Sequence, residues 1–224
     1  MNIIITGASG GIGKAAAARY LALGHTVYGI DTAPAPFERT GYIHFTADIR
    51  NANELPDIKN AAVIFNNAGT QNSEDDIGNN LRGAINVTGK YIRDNTALKS
   101  ILFNASASAV SGQEFPVYAA SKAGLLGYMK NVAIRVAPRG VTCNAISLGG
   151  VYTPLNDPVV NDPVLWGRIM DVTPMKKWMT SEEAADWILF LTLTNRSMSG
   201  QNLLIDNGEY DLRPTFVWPE EKQG

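Results

Sequence analysis

The sequence predicts a single-domain α/β protein: a doubly wound, mostly parallel seven-stranded sheet with helices on both faces. Three observations lead there. Short apolar runs alternate with helical segments along the chain, the pattern of parallel βαβ units with right-handed crossovers. The chain opens on an apolar run that passes through a glycine-rich turn into an Ala-rich segment. Its 224 residues, 45% hydrophobic and 18% charged, are enough for one layered core of this kind.

The opening run, Asn2-Ile3-Ile4-Ile5, reads as a buried strand, and Thr6-Gly7-Ala8-Ser9-Gly10-Gly11-Ile12-Gly13 as a sharp turn. A helix follows over residues 14–23, with Gly24 as its stop. Strand, glycines and helix N-terminus together form an anion site, because a diphosphate can approach the bare backbone and meet unpaired N–H groups. The second strand, residues 25–31, ends in Asp31. It lies close to the about 20 residues beyond the motif at which an acid bonds adenosine ribose hydroxyls. That carboxylate repels a 2′-phosphate and no arginine adjoins it, so NAD rather than NADP is expected. The plainer reading is that Asp31 caps the turn Thr32-Ala33-Pro34-Ala35-Pro36. This Pro-rich loop stands where a crossover helix would be.

Further strands are expected over residues 42–47, 61–65, 100–106, 141–146 and 203–206. Helices are expected over 74–93, 117–136 and 181–193, with Ser181 as the last one's N-cap. A Pro-punctuated stretch over 155–179 carries Trp166, Met170, Met175, Trp178 and Met179.

A net charge of −2 favours neither nucleic acid nor a membrane surface as partner. No apolar run approaches the roughly 20 residues of a membrane helix, and no secretory signal is read at the N-terminus. Cys143 is the single cysteine and sits in an apolar strand, so inert packing is expected. His25 and His44 stand without ligand-spaced companions, so no metal is expected. The expected location is cytoplasmic.

Tyr118 and Lys122 lie one helical turn apart and share a face. A fixed ammonium favours a phenolate and is expected to bring tyrosine nearer a useful pKa. None of the other tyrosines has a lysine four positions on.

With these residues in hand, the chain resembles the short-chain dehydrogenase/reductase family over about residues 2–208. Thr6-Gly7-x-x-x-Gly11-x-Gly13 resembles its cofactor motif, Asn66-Asn67-Ala68-Gly69 its strand-four motif, and Tyr118-x-x-x-Lys122 its catalytic pair. The resemblance implies a Rossmann-like fold and hydride transfer between NAD(H) and a secondary alcohol or ketone. It implies Tyr118 as general acid/base, Lys122 as its electrostatic partner and ribose ligand, and Ser106 as the group polarising the substrate oxygen. Asn80 would hold the water linking Lys122 to solvent. Cofactor contacts would come from Gly7, Ser9, Gly11, Ile12, Gly13, Asp31, Asp48, Ile49, Asn67, Ala68, Gly69, Tyr118, Lys122, Gly149, Val151 and Thr153. A non-catalytic dinucleotide sensor of the same fold is the contrasting expectation.

Two assignments stay open. The Ser106–Tyr118 spacing is one residue short of the family's, which leaves Ser108 as a substitute. Asn86 competes with Asn80, since both begin an Asn-x-x-Gly pattern and the segment after Gly69 is short. The family's Pro-Gly after strand six is Leu148-Gly149 here, and its closing Asp-Gly-Gly is Asp206-Asn207-Gly208. Residues 155–179 are expected to lid the substrate, which would have an apolar body such as an acyl chain or alicyclic ring. Lys176-Lys177 would either meet a phosphate or face solvent. The tail, residues 211–224, carries Phe216, Val217 and Trp218 and is expected to dock on a neighbouring subunit or over the cleft. The resemblance implies a homodimer or homotetramer.

Overall fold

The computed structural model describes residues 1–210 and Leu212. Seven parallel strands form one sheet in the order β3-β2-β1-β4-β5-β6-β7. They are β1 (Asn2–Thr6), β2 (Thr26–Asp31), β3 (Tyr42–Thr46), β4 (Ala61–Asn66), β5 (Ser100–Asn104), β6 (Thr142–Leu148) and β7 (Asn202–Ile205). The sheet is parallel throughout rather than mostly so.

Alternation along β1 shows how the layers arise. Ile3 and Ile5 pack on the face covered by α1 (Gly11–Ala22) and α7 (Ser181–Leu189), with Ala16, Tyr20 and Ile188. Ile4 points to the opposite face, with Val87 of α2 (Gly83–Ile92) and Leu125 and Met129 of α4 (Pro116–Val136). Successive strand side chains face opposite ways, so three consecutive isoleucines feed two cores. Small helical pieces complete the chain: α3 (Ser108–Ser111), α5 (Asp157–Val160) and α6 (Pro163–Val172).

The strand order reverses between β1 and β4, and a crevice opens there at the carboxyl ends of the strands. Two expected helices are altered by wide, π-helical turns. The 74–93 prediction becomes a π turn at Ile77–Arg82 running into α2, and the 181–193 prediction becomes α7 followed by a π turn at Phe190–Thr194. Strand five stops at Asn104, which leaves Ala105 and Ser106 at its mouth, and β6 continues to Leu148. The cap of α7 is Thr180 rather than Ser181. Its hydroxyl accepts from Glu183 N at 3.1 Å while Glu183 Oε2 accepts from Thr180 N at 2.9 Å. This reciprocal box satisfies two orphan amides, which Ser181 cannot do from inside the helix. Ser181 instead donates to the Tyr152 carbonyl.

Among the described residues, no helix is long and apolar enough to cross a membrane, and no cluster of His, Cys, Asp and Glu could hold a metal ion. Cys143 is buried in β6, where burial pushes its thiol up to about 12. The tail residues Phe216, Val217 and Trp218 lie outside the described residues.

Candidate active site

A cleft of about 720 Å³ runs along the carboxyl edge of the sheet. It is floored by Gly7, Gly10, Gly11 and Ile12, and Asp31, Asp48 and Ile49 line it as well. Elsewhere Ser106, Tyr118 and Lys122 line it, together with residues of the 155–179 stretch.

The glycine turn is built by close approach. Gly7 has φ +67°, and a Cβ there would lie 2.7 Å from Ala68 Cα. A Cβ on Gly13 would lie 2.0 Å from the Gly7 carbonyl oxygen. Gly13 therefore closes the turn rather than lining the cleft, and Ser9 is likewise turned away to donate its N–H to Asp31 Oδ2 at 2.9 Å. The first turn of α1 has neither a side-chain cap nor an acidic residue. Its amides are thus left for an anion, the donor set that a dinucleotide diphosphate needs. Asn67 braces this turn, donating to the Thr6 and Gly7 carbonyls while Asn104 donates to its Oδ1.

Asp31 caps the turn that follows β2 and also faces the cleft. Oδ1 accepts from Ala33 N at 3.0 Å, capping the turn, and the residue also lines the cleft. Asp48 is clamped by Arg50, whose side chain donates to both carboxylate oxygens, and the guanidinium holds the carboxyl below its usual range. Among the described residues lining the cleft, Lys122 is the one cation. The loop after β6 supplies Gly149, Val151 and Thr153, and Thr153 reaches to within 3.1 Å of where a Gly11 Cβ would stand.

Asn80 and Asn86 separate clearly. Asn80 is buried; its Oδ1 accepts from Thr70 N at 2.7 Å and its Nδ2 donates to Thr70 O and Ser121 Oγ. A Cβ on Gly69 would sit 2.7 Å from Asn80 Oδ1 and 3.2 Å from Lys122 Nζ, so these two groups converge on one glycine. Asn86 instead donates to the Ile49 and Arg50 carbonyls beneath Asp48. Ser106 lines the cleft, whereas Ser108 lies behind it with the two hydroxyls 3.0 Å apart.

The expected lowering of the phenol by the ammonium does not occur. Lys122 Nζ lies 5.7 Å from the Tyr118 ring centroid, yet burial pushes the phenol up to about 12. Glu114 and Asp76 push the same way, and only the Ser106 hydroxyl opposes them. Lys122 is itself lowered to about 8 by burial, with Asp76 resisting. Desolvation is the largest cause of both shifts, because both groups lie in the same poorly hydrated place.

The 155–179 stretch turns Leu155, Val159, Ile169 and Trp178 towards the cleft. Trp178 lies flat on Gly150 and meets Trp166 edge-on at 5.2 Å. The lysine pair is spent elsewhere: Lys177 bonds Glu183 at 2.6 Å, and Lys176 donates to the Met170 and Asp171 carbonyls at the end of α6. Four residues escaped the sequence reading: Thr70, Asp76, Glu114 and Tyr210. Thr70 and Asp76 sit in the short segment after Gly69, whose brevity was the one available signal. Glu114 has φ +71°, a conformation nothing in its neighbours announces.

Comparison with known proteins bears on this geometry. A family model described as enoyl-(acyl carrier protein) reductase matches residues 58–209. The chain belongs to the short-chain dehydrogenase/reductase family. Within this family, a short-chain dehydrogenase of Penicillium roqueforti is 30% identical and is matched over 92% of this chain and 95% of its own. A 3-oxoacyl-(acyl-carrier-protein) reductase of Buchnera aphidicola is 27% identical over 92% of this chain and 96% of that protein. The ligand-free aldohexose dehydrogenase of Thermoplasma acidophilum superposes with a TM-score of 0.83 at 26% identity, covering 98% of this chain and 97% of that one. As a short-chain dehydrogenase/reductase, the chain is an oxidoreductase that uses a nicotinamide dinucleotide.

Proposed function

We propose that this chain transfers a hydride between NAD(H) and a secondary alcohol or ketone, with Tyr118 as general acid/base. The observation that carries the reading is convergence: Ser106, Tyr118 and Lys122 line the same cleft as the uncapped glycine turn. When bound, the nicotinamide supplies or accepts the hydride. In the reducing direction Tyr118, protonated at neutral pH, gives its proton to the carbonyl oxygen. Ser106 polarises that oxygen as charge develops. Lys122, held by the Asn104 carbonyl at 2.8 Å, orients the ribose hydroxyls and stabilises the phenolate left behind. Asn80 anchors the helical turn beside Lys122.

NAD is preferred over NADP because Asp31 presents a carboxylate to the cleft and no lining cation among the described residues stands near it to neutralise a 2′-phosphate. Leu155, Val159, Ile169 and Trp178 favour a carbonyl substrate with an apolar body, of the 3-oxoacyl or hydroxysteroid kind. A homodimer or homotetramer is supported by apolar side chains left exposed on α4, including Val117 and Ile134. The test is NADH oxidation over a panel of ketones with wild type and Tyr118→Phe. Loss of turnover in the variant, with NADH binding retained, supports the assignment; equal rates remove Tyr118 from the mechanism.

A further inference from the structure

Glu114 has φ +71°, in the left-handed region that glycine enters freely and glutamate does not. Three separate segments hold it there. Ser108 Oγ donates to its Oε2 at 2.5 Å, Gln71 Nε2 to the same oxygen at 3.4 Å, and the Tyr210 hydroxyl to Oε1 at 2.9 Å. The residue lines the cleft, and a strained residue fixed in this way inside a cleft points to a use for its side chain. We propose that Glu114 selects the substrate: its carboxylate accepts a hydrogen bond from a hydroxyl or ammonium on the carbon next to the reacting carbonyl. Ketones that bear this donor are favoured, and ketones that bear an anion there are turned away.

The distances place Glu114 beside the reacting group. Ser106 Oγ and Ser108 Oγ are 3.0 Å apart, and Ser108 Oγ bonds the carboxylate. Glu114 Oε2 is therefore no more than two hydrogen-bond lengths from the hydroxyl that would polarise the carbonyl oxygen. Ser108 spends its hydroxyl proton on Glu114 and its N–H on Ser106 Oγ, which leaves the Ser106 proton for that oxygen. The carbon next to the carbonyl is the position whose substituent falls within this reach. A carboxylate offers about four acceptor positions, two on each oxygen. Ser108 and Gln71 take those of Oε2 and Tyr210 takes one on Oε1, so one stays open.

The charges in the cleft point the same way. Among the described lining residues Lys122 is the one cation, and it is bound to the Asn104 carbonyl. Glu209 adds a second carboxyl, whose Oε2 has no hydrogen-bond partner among the described residues. An anion on the substrate would meet these groups with nothing to offset it. A bare Glu114 would also oppose the negative charge that gathers on the carbonyl oxygen during reduction, and a donor lying between the two removes that opposition. Leu155, Val159, Ile169 and Trp178 are left for the apolar body. The inference rests on the reading that this cleft reduces a ketone with Tyr118 as the acid, and it adds the group beside the carbonyl.

The test is kcat/KM with saturating NADH for four compounds of one chain length: 2-octanone, 1-hydroxy-2-octanone, 1-amino-2-octanone and 2-oxooctanoate. The full chain is compared as wild type, Glu114→Gln, Glu114→Ala and Tyr118→Phe. Wild type should prefer the hydroxy or the amino ketone to 2-octanone by at least about tenfold, the scale of a hydrogen bond to a charged group. It should take 2-oxooctanoate at least about tenfold less well than 2-octanone. Glu114→Gln keeps one acceptor without the charge, so it should retain part of the hydroxyl preference and lose most of the ammonium preference and of the discrimination against 2-oxooctanoate. Glu114→Ala should bring all three ratios to within about threefold of one. Each ratio is taken within one protein sample, so a misfolded fraction cancels, and the wild-type ratios decide by themselves if a variant is insoluble. Either donor supports the inference, and their order in wild type says which is read. Equal rates for 2-octanone and both donor ketones in wild type, with Tyr118→Phe inactive, overturn the selection and leave the acid/base reading intact. A wild-type preference that persists in Glu114→Ala overturns the assignment to Glu114. Wild-type turnover by Tyr118→Phe, or no turnover of any ketone by wild type, overturns the underlying reading as well.

Discussion

Lys122 Nζ donates a hydrogen bond to the Asn104 carbonyl at 2.8 Å, tying the middle of α4 to the end of β5. The bond holds the ammonium beside Tyr118 but in a place that disfavours charge, so Lys122 titrates at about 8 against an ordinary 10.5. Between those values the unfolded chain keeps a proton that the folded chain has released, so stability rises with pH across that window. Lys122→Met should remove this rise. Urea unfolding at pH 7.5 and 10 should show wild type gaining on the variant by on the order of 2 kcal/mol. A pH-independent offset, from the Asn104 carbonyl left without its donor, should accompany it.

Asp31 holds two backbone amides, Ser9 N and Ala33 N, as well as facing the cleft. Asp31→Asn keeps one acceptor oxygen and removes the charge. The ratio of kcat/KM for NADH over NADPH should therefore fall by at least about tenfold, the scale of one lost charge repulsion near a surface. An unchanged ratio would mean that Asp31 serves the turn alone.

Asn80 and Asn86 should report on opposite ends of the cleft. Asn80→Ala breaks bonds to Thr70 and Ser121 beside Lys122, so kcat should fall and about 1–3 kcal/mol of stability go with the buried groups left unpaired. Asn86→Ala frees the Ile49–Arg50 backbone, so the cofactor KM should rise with kcat nearly unchanged. Steady-state kinetics with the cofactor varied separates the two.

The α7 cap gives a purely structural check. Thr180→Ala removes the side chain of the reciprocal box and should cost about 1 kcal/mol. Ser181→Ala, one residue inside the helix, should cost less than half of that in thermal or urea unfolding.

How much of this was legible beforehand varies residue by residue. The glycine turn was, because Gly7 and Gly13 are required by backbone contacts closer than any Cβ permits, and such a demand is written in residue type. The Tyr118–Lys122 pair was also legible, since helix geometry fixes a spacing of four. Asn80 against Asn86 was not: both have the same local pattern, and only the packing of the short Gly69–Asn80 crossover brings one of them to Lys122.

By itself, the sequence determined the layered α/β architecture, the strand order's opening unit and the family's three motifs, all of which depend on residues near one another in the chain. Tertiary structure alone decided which way the Tyr118 phenol shifts, because desolvation depends on what every surrounding element excludes. It likewise decided the partners of Glu114, which come from three separate places: Ser108, Gln71 and Tyr210. Local spacing records how neighbours along the chain face one another, whereas burial and long-range hydrogen bonds come into being only when distant segments meet.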